Sequence, residues 1–253
     1  MAIGLYAFTC GELTGAYGGF VEGESGKLRV PVPAYLIDHP KGKALFDTGL
    51  NIGLRQDASR LLGPMMKDWE IHYPASADIA SQLKALEIDP ADIRYLVNSH
   101  LHFDHCGGNA LIPNAVVIVQ RREWKAAQNK RLRAAAVYNP ADFDHGHDVL
   151  QIEGEHDLFG DGSAILFPTY GHTPGHQSLR LKLESGEVVL AADCCYLKRT
   201  LESLGLPPFA YNRDMMIETL QRLRAMQANG ARIFYGHDPE FWKTIPQAPA
   251  VII

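Results

Sequence analysis

The sequence has few cysteines and no apolar run long enough to cross a membrane. Four cysteines in 253 residues, two of them adjacent, do not make a disulfide scaffold. A membrane-spanning helix needs about 20 consecutive apolar residues. The first residues carry neither a basic segment nor a long apolar one, so they do not match a secretory signal. We therefore expect a protein of the reducing cytoplasm that has no membrane contact.

The sequence also lacks a surplus of positive charge. Lys and Arg total 24 and Asp and Glu total 29, which gives a formal net charge of -5. Binding to nucleic acid needs a concentrated excess of Lys and Arg, because these side chains neutralise phosphates. We therefore expect no nucleic-acid partner and favour a small-molecule substrate.

What the chain does contain is enough apolar material for a full core. It is 46% hydrophobic and shows no repeat, low-complexity tract or linker, so we expect one domain over residues 1–253. Apolar runs predict strands at Leu28–Ile37, Ala44–Asp47, Ile93–Asn98, Ala115–Val119, Ile165–Pro168, Ser178–Leu183, Val188–Ala192 and Ile233–Tyr235. Helical spacing predicts helices at Ala77–Glu87 with Ser76 as N-cap, at Arg122–Ala136 and at Asp214–Ala228. This mixture favours a layered α/β sandwich.

The segment SHLHFDHCGGN, which follows the predicted strand Ile93–Asn98, is dense in metal-ligand side chains. On an extended chain, His100, His102 and Asp104 point the same way, and a turn at Asp104 and His105 aims these two at a second centre. Imidazole and carboxylate ligands together suit zinc and its neighbours, since calcium sites use oxygen almost exclusively. The segment therefore predicts ligands for two metal ions.

A complete site needs further ligands from other strand ends, and three candidates lie downstream. His172 lies in the segment YGHTPGH, Asp193 follows the predicted strand Val188–Ala192, and His237 follows Ile233–Tyr235 after one glycine. Each lies where a strand passes into a loop, which is the usual position of functional residues on a rigid scaffold.

Other ligand-type side chains fit ordinary roles. No strand precedes the string formed by His145, His147 and Asp148, so we interpret these three as loop residues. His176 is expected to support its loop. We expect Cys106 to be a small buried side chain, as are the adjacent cysteines near Asp193.

The order of the candidate ligands resembles the pattern of the metallo-β-lactamase superfamily: HxHxDH, a lone His, a bridging Asp and a final His. The resemblance implies an αβ/βα sandwich of two mixed β-sheets flanked by helices, with the site at the edge between the sheets. It also implies that Asp193 bridges two metal ions. One ion would be held by His100, His102 and His172, and the other by Asp104, His105 and His237.

The sequence is similar to one branch of that superfamily, the N-acyl homoserine lactone hydrolases. The matching segments are SHLHFDHCGGN, GHTPGHQSL, FYGHD and PVPAYLIDHPKGKALFDTG, and they extend from about Val30 to Asp238. In that branch a tyrosine, here Tyr196, lies beside the metals with its hydroxyl toward the substrate carbonyl. Asp47 in FDTG resembles a buried aspartate that supports the metal loop. An aspartic protease, the alternative for DTG, needs a second such aspartate.

The resemblance implies a hydrolase that opens a lactone ring, with N-acyl homoserine lactones as substrates. Two divalent ions, zinc by expectation with cobalt, manganese or iron as alternatives, would supply a hydroxide that attacks the ester carbonyl. Tyr196 would stabilise the oxyanion and Asp104 would deliver a proton to the leaving alkoxide. The apolar segment Met65–Tyr73, through Met65 and Trp69, is expected to contact the substrate together with Phe103.

Several alternatives are compatible with the same motifs. Aryl-lactone or phosphotriester hydrolysis needs only a different pocket on the same scaffold. Glyoxalase-II-like thioester hydrolysis shares HxHxDH but uses a basic C-terminal helical region that we do not identify here. A nuclease is disfavoured by the acidic charge balance, and a non-catalytic metal-binding role by the complete ligand set. Homodimerisation is compatible with the sequence.

Overall fold

The computed structural model describes residues 3–134 and 138–252, which contain two β-sheets with helices packed outside them. The strands are β1 (Gly4–Ala16), β2 (Lys27–His39), β3 (Gly42–Phe46), β4 (Glu70–His72), β5 (Ile93–Val97), β6 (Val116–Gln120), β7 (Val149–Ile152), β8 (His156–Asp157), β9 (Ala164–Pro168), β10 (Gln177–Leu183), β11 (Gly186–Ala192) and β12 (Arg232–Tyr235).

The α-helices of the described ranges are mostly short. They are α1 (Leu54–Leu62), α2 (Ile79–Ala85), α3 (Phe103–Cys106), α4 (Arg121–Ala127), α5 (Lys130–Ala134), α6 (Pro140–Phe143), α7 (Lys198–Ser203), α8 (Arg213–Ala228) and α9 (Pro239–Trp242). Single 3-10 turns occur at Tyr17–Gly19, Gly63–Asp68, Ala75–Ala77, Pro90–Asp92 and Asn109–Leu111. Across residues 3–134 and 138–252, no helix has the length and apolar content needed to cross a bilayer.

Both sheets are mixed, as predicted. The larger sheet has the strand order β4-β1-β2-β3-β5-β6-β7 and the smaller β12-β11-β10-β9-β8. In the larger sheet β1, β2, β3 and β4 pair antiparallel, whereas β3, β5, β6 and β7 pair parallel. In the smaller sheet β11 and β12 are parallel and the other pairs are antiparallel. Parallel neighbours end at the same edge of a sheet, so the loops after β3 and β5, and those after β11 and β12, start side by side.

Apolar layers hold the sheets and helices together. Side chains such as Phe46 and Leu190 pack between the two sheets. The outer face of the larger sheet packs on α2 through Ile79, and that of the smaller sheet packs on α8 through Leu220 and Leu223. The order of layers is therefore helix, sheet, sheet, helix, and the predicted αβ/βα sandwich is confirmed.

The sequence of β11, GEVVLAA, shows why its strand is buried on both faces. Val188 and Leu190 pack between the sheets, whereas Val189 and Ala191 pack toward α8. Alternate side chains of a strand point to opposite faces, so a strand with a covering layer on each side is apolar at every position. The same reason makes such strands easy to recognise in the sequence.

The first strand, β1, was not predicted. It is 13 residues long and pairs with β2, but its register shifts between Thr9 and Glu12. A β-bulge moves the following side chains to the other face, so the alternation of apolar and polar residues is lost along the strand. Polar residues also occur in the second half of β1, which makes the strand still harder to recognise from the sequence.

Two helix predictions need correction. Ser76 is not the N-cap of α2, because Asp78 holds that position and its side chain accepts from the backbone N–H of Ser81. The predicted helix Arg122–Ala136 is wrong as a single element: α4 ends at Ala127, and Asn129 then accepts from the N–H of Arg131 at the start of α5. Asn competes with helix hydrogen bonding in this way. Residues 135–136 of that prediction lie outside the described residues.

Candidate metal centre

The candidate ligands lie together because each follows a strand end at one edge of the sandwich. The HxHxDH segment follows β5, His172 follows β9, Asp193 follows β11 and His237 follows β12. The short helix α3 turns the chain after His102 and carries Asp104 and His105, and the ring of His105 lies 4.1 Å from that of His100, centroid to centroid. The loop is held close to its neighbour, since a Cβ on Gly107 would lie 2.3 Å from the backbone N of Asn51.

One half of the cluster consists of three histidines, which we call the three-histidine group: His100, His102 and His172. Nε2 of His172 lies 3.2 Å from Nε2 of His100 and 3.1 Å from Nδ1 of His102. Burial lowers the pKa of all three imidazoles, that of His102 to about 4. They are therefore neutral, and neutral imidazole is the form that binds a metal.

The other half, which we call the acidic group, consists of Asp104, His105 and His237. Oδ2 of Asp104 lies 3.8 Å from Nε2 of His105 and 3.7 Å from Nε2 of His237. Burial opposes charge on His105, but the carboxylates of Asp193 and Asp104 outweigh it and raise its pKa well above the usual value. The pKa of His237 is raised in the same way, against burial, chiefly by Asp193. The acidic group therefore stabilises a nearby positive charge more strongly than the three-histidine group does.

Asp193 lies between the two groups and presents one oxygen to each. Its Oδ2 lies 3.4 Å from Nε2 of His172 and 3.8 Å from Nε2 of His100. Its Oδ1 lies 3.1 Å from Nε2 of His105 and 3.0 Å from Nε2 of His237. One carboxylate thus faces both groups, as a bridging ligand does.

The donor spacing fits metal coordination. Four nitrogen or oxygen ligands arranged tetrahedrally about 2.1 Å from a zinc ion lie about 3.4 Å from one another, which matches the separations in both groups. Buried polar atoms normally have hydrogen-bond partners. Among the described residues, however, Nε2 of His105 and Oδ1 of Asp193 make no hydrogen bond of acceptable geometry. A shared cation satisfies both atoms, so the residues present fit a metal centre.

Comparison with known proteins agrees with this geometry. The model of the metallo-beta-lactamase superfamily matches residues 28–237, which include every candidate ligand. The chain belongs to this superfamily. Its members' fold, two mixed sheets flanked by helices, is the one described above.

Within the superfamily, the chain is similar to enzymes named for lactone hydrolysis. It is 34% identical over 238 residues to the N-acyl homoserine lactonase AttM of Azorhizobium caulinodans, covering 90% of this chain and 89% of the relative. It is 32% identical over 228 residues to the N-acyl homoserine lactonase AiiA of Bacillus thuringiensis subsp. kurstaki, covering 89% and 88%. A solved N-acyl homoserine lactone hydrolase with the product N-hexanoyl-L-homoserine at its catalytic metal center matches with a TM-score of 0.89 and 29% identity, covering 100% of both chains.

Tyr196 lies at the edge of this metallo-beta-lactamase site. Its hydroxyl is 3.1 Å from Nδ1 of His172. With a metal ion on Nε2 of His172, Nδ1 would carry the proton and donate to the tyrosine oxygen, which would leave the tyrosine O–H free to donate elsewhere. The ring of Phe20 packs edge-on against Tyr196, with 5.8 Å between centroids. Tyr196 is therefore held firmly and orients a candidate ligand, a contact that sequence analysis did not predict.

The ligand cluster forms the floor of a cavity of about 810 Å³. Met65, Trp69 and Phe103, the predicted substrate contacts, all line it, with Phe20 and Leu132 beside them. The rest of the segment Met65–Tyr73 departs from the prediction, since Met66, Ile71 and Tyr73 are half-buried against the core and do not line the cavity. The lining is mostly apolar, and five of the candidate ligands contribute polar atoms to it: His102, Asp104, His172, Asp193 and His237.

Asp47 lies directly behind the acidic group. Its Oδ1 accepts from the N–H of Ser99 at 2.7 Å, and its Oδ2 from the hydroxyl of Ser99 and Nδ1 of His105, both at 2.8 Å. Its φ of 61° is in the left-handed region, which is uncommon for a residue other than glycine. Such strain persists where the surroundings fix the backbone, and here it aims the carboxylate at the ligand loop.

Sequence analysis missed Glu123. This carboxylate is completely buried, at 0% exposure, and accepts hydrogen bonds from the loops that carry the three-histidine group. The signal available in the sequence was an acidic residue at the start of a helix that follows a strongly apolar strand. One glutamate in such a position is ordinary, so the pattern by itself did not single it out.

The remaining predictions concern residues outside the cluster. Nε2 of His147 lies 2.8 Å from the carbonyl oxygen of Ile112, as fits a loop residue. His176 supports its own loop through Nδ1, 2.8 Å from the hydroxyl of Thr169. Cys106 is buried and free, as are Cys10, Cys194 and Cys195.

Proposed function

We propose that this chain is a metal-dependent hydrolase that opens the lactone ring of N-acyl homoserine lactones with two metal ions in one site. The observation that carries the proposal is the carboxylate of Asp193, which faces a separate ligand group with each oxygen at the floor of an apolar cavity. The names of the similar enzymes support the choice of a lactone as substrate.

We propose two ions because the ligands form two groups. The three-histidine group would hold one and the acidic group the other, with Asp193 shared between them. Zinc is the ion we propose, because its ligands in proteins are this mixture of imidazole and carboxylate. When bound, such ions polarise a carbonyl oxygen and lower the pKa of a water molecule toward neutrality.

The protein's own groups then bind the substrate and move protons. The hydroxyl of Tyr196 donates a hydrogen bond to the lactone carbonyl oxygen, which gains negative charge as the ring carbon becomes tetrahedral. Asp104, which is 8% exposed and lines the cavity, would take the proton released by the attacking water and pass it to the alkoxide that leaves when the ring opens. The apolar wall with Met65, Trp69 and Phe103 takes up the acyl chain and keeps water from the reacting centre.

We also propose that the protein works in the cytoplasm. The four cysteines are free and buried, which suits the reducing cytoplasm. Homodimerisation remains a prediction, and sedimentation analysis tests it.

The experiment is a hydrolysis screen on one zinc-loaded preparation. The substrates are hexanoyl-homoserine lactone, an aromatic lactone, a thioester and a phosphotriester, and the same protein stripped by a chelator is the control. We expect the highest kcat/KM for the homoserine lactone and loss of turnover on stripping. A thioester or phosphotriester preferred over both lactones, or full activity without metal, would show that the proposal is wrong.

A further inference from the structure

The buried carboxylate of Glu123 connects two loops that are far apart in the sequence. Glu123 lies in the first turn of α4. Its Oε1 accepts from the backbone N–H of Leu101 at 3.1 Å. Its Oε2 accepts from the hydroxyl of Thr173 at 2.7 Å and from the backbone N–H of Gly175 at 3.0 Å.

The donors to Glu123 are neighbours of the three-histidine group. Leu101 lies between His100 and His102, and Thr173 directly follows His172. Fixing Leu101 on one oxygen and Thr173 on the other fixes the distance between the two loops. That distance determines whether the three imidazole nitrogens converge to 3.1 and 3.2 Å.

The contact between α4 and the His172 loop is also closely packed. A Cβ on Gly175 would lie 2.1 Å from the backbone N of Glu123, so the glycine permits the approach. Little space remains for water to replace the carboxylate as a hydrogen-bond acceptor.

Asp47 makes the corresponding contacts on the other side of the cluster. It accepts from the backbone and hydroxyl of Ser99 and from Nδ1 of His105, and His105 belongs to the acidic group. Asp47 touches His105 of the acidic group directly, whereas its link to the three-histidine group is indirect, through the Ser99 hydroxyl that lies 3.0 Å from Nδ1 of His100. Each half of the cluster therefore has one buried carboxylate in direct contact with its ligands or the loops that carry them.

We propose that Glu123 is a positioning residue for the three-histidine half of the metal centre, as Asp47 is for the acidic half, so that loss of either carboxylate weakens one metal position selectively. This inference rests on the proposed two-metal site. It assigns to Glu123 no contact with substrate or metal.

The substitution Glu123→Gln tests this directly, because it keeps the size of the side chain and removes one acceptor. All three partners of Glu123 are donors. A carboxylate accepts on both oxygens, whereas an amide has one oxygen and one NH2 group. Turned one way, the NH2 faces the backbone N–H of Leu101; turned the other way, it faces the backbone N–H of Gly175, while the Thr173 hydroxyl can rotate and accept from it. In either orientation one backbone N–H of the two loops loses its acceptor.

The measurement is a competition titration of the full-length, metal-free protein with Zn²⁺ and a chromophoric chelator. Two reference variants assign the binding phases: His172→Ala should remove the phase of the three-histidine half, and His237→Ala the phase of the acidic half. We expect Glu123→Gln to weaken the first phase about 10-fold or more and to leave the second nearly unchanged. Asp47→Ala should weaken the second phase by a similar factor.

Two further variants separate positioning from general destabilisation. Thr173→Val removes a single donor to Glu123 and should weaken the first phase less than Glu123→Gln does. Asp78→Asn is the matched control: Asp78 is also a buried carboxylate that accepts from a backbone N–H, but it touches no candidate ligand. It should lower the melting temperature of the metal-free protein and leave both phases at their parental affinity.

Each outcome bears on a different claim. If the parent protein binds fewer than two zinc ions at saturation, the proposed centre is wrong whatever Glu123 does. If the parent binds two and Glu123→Gln retains parental affinity, or weakens both phases equally, the positioning role is overturned. If Glu123→Gln does not fold, Thr173→Val decides, and an unchanged first phase in that variant contradicts the inference.

Discussion

At the scale of single residues, the site is defined by which atoms each side chain offers to its neighbours. His172 presents Nε2 to the ligand cluster and Nδ1 to the hydroxyl of Tyr196. The partner of one ring nitrogen therefore fixes the role of the other. Asp193 likewise uses each of its two oxygens for a different ligand group. Small changes at these residues are expected to have specific chemical effects.

Tyr196→Phe removes the hydroxyl and keeps the ring that packs against Phe20. Loss of one donor to the developing oxyanion should lower kcat on hexanoyl-homoserine lactone about 10- to 1000-fold, while KM changes less. The comparison is made at saturating zinc, with bound metal measured, because the hydroxyl also contacts His172. Tyr211→Phe, at a tyrosine that is 58% exposed at the cavity rim, is the matched control and should retain full turnover. Parental kcat in Tyr196→Phe would reduce Tyr196 to a packing residue.

At the scale of elements, one short segment supplies side chains both to the cavity wall and to the core. The turn Gly63–Asp68 carries Met65 to the wall and Trp69 directly follows it, whereas Ile71, in β4, is half-buried against the core and does not line the cavity. Trp69 packs against the strand beneath it at Gly15, where a Cβ would lie 2.6 Å from the indole ring. A rigid aromatic at this position makes the wall sensitive to the length of an apolar chain.

Trp69→Ala is expected to lower kcat/KM more for decanoyl-homoserine lactone than for butanoyl-homoserine lactone. Each buried CH2 group contributes about 0.8 kcal/mol, so loss of contact with two of them changes the ratio between these substrates by about 10-fold. Ile71→Ala provides the control, since it removes apolar contacts two positions further along the chain, at a side chain that does not line the cavity. Equal losses on both substrates in Trp69→Ala would contradict the acyl-chain role.

At the scale of the whole molecule, the metal centre joins the two sheets. The HxHxDH segment follows a strand of the larger sheet, and His172, Asp193 and His237 follow strands of the smaller one. Ions shared among these ligands would cross-link the two layers in addition to the apolar side chains between them. Binding at this edge should therefore stabilise the entire fold.

Removal of metal is expected to lower the melting temperature. A ligand present at about 100 times its Kd stabilises the folded state by roughly 2.7 kcal/mol, and for a chain of this size each kcal/mol corresponds to about 2–4 °C. The loss should therefore be about 5–10 °C for each ion, measured by calorimetry before and after treatment with a chelator. Zinc should restore the melting temperature, and Mg²⁺, which prefers oxygen ligands, should restore little. Identical melting curves with and without chelator would refute the structural role of the ions.

The sequence alone determined the features that depend on neighbours along the chain. Strands buried on both faces, such as β11, and the apolar face of α8 were recognised from local periodicity. The αβ/βα fold was implied by the resemblance that the order of the HxHxDH segment, His172, Asp193 and His237 carries. These signals are local because a strand end and the ligand after it are adjacent in the chain.

Only the tertiary structure decided the features that depend on distant pairs. Glu123 meets Thr173 and Gly175 across 50 and 52 positions, and β1 is ordered by its pairing with β2 despite its bulge. The resemblance predicted the two ligand groups, but the distances that set one oxygen of Asp193 against each group depend on how the two sheets are placed. Contacts of this kind leave no periodic pattern in the sequence, because they arise only when packing brings separate segments together.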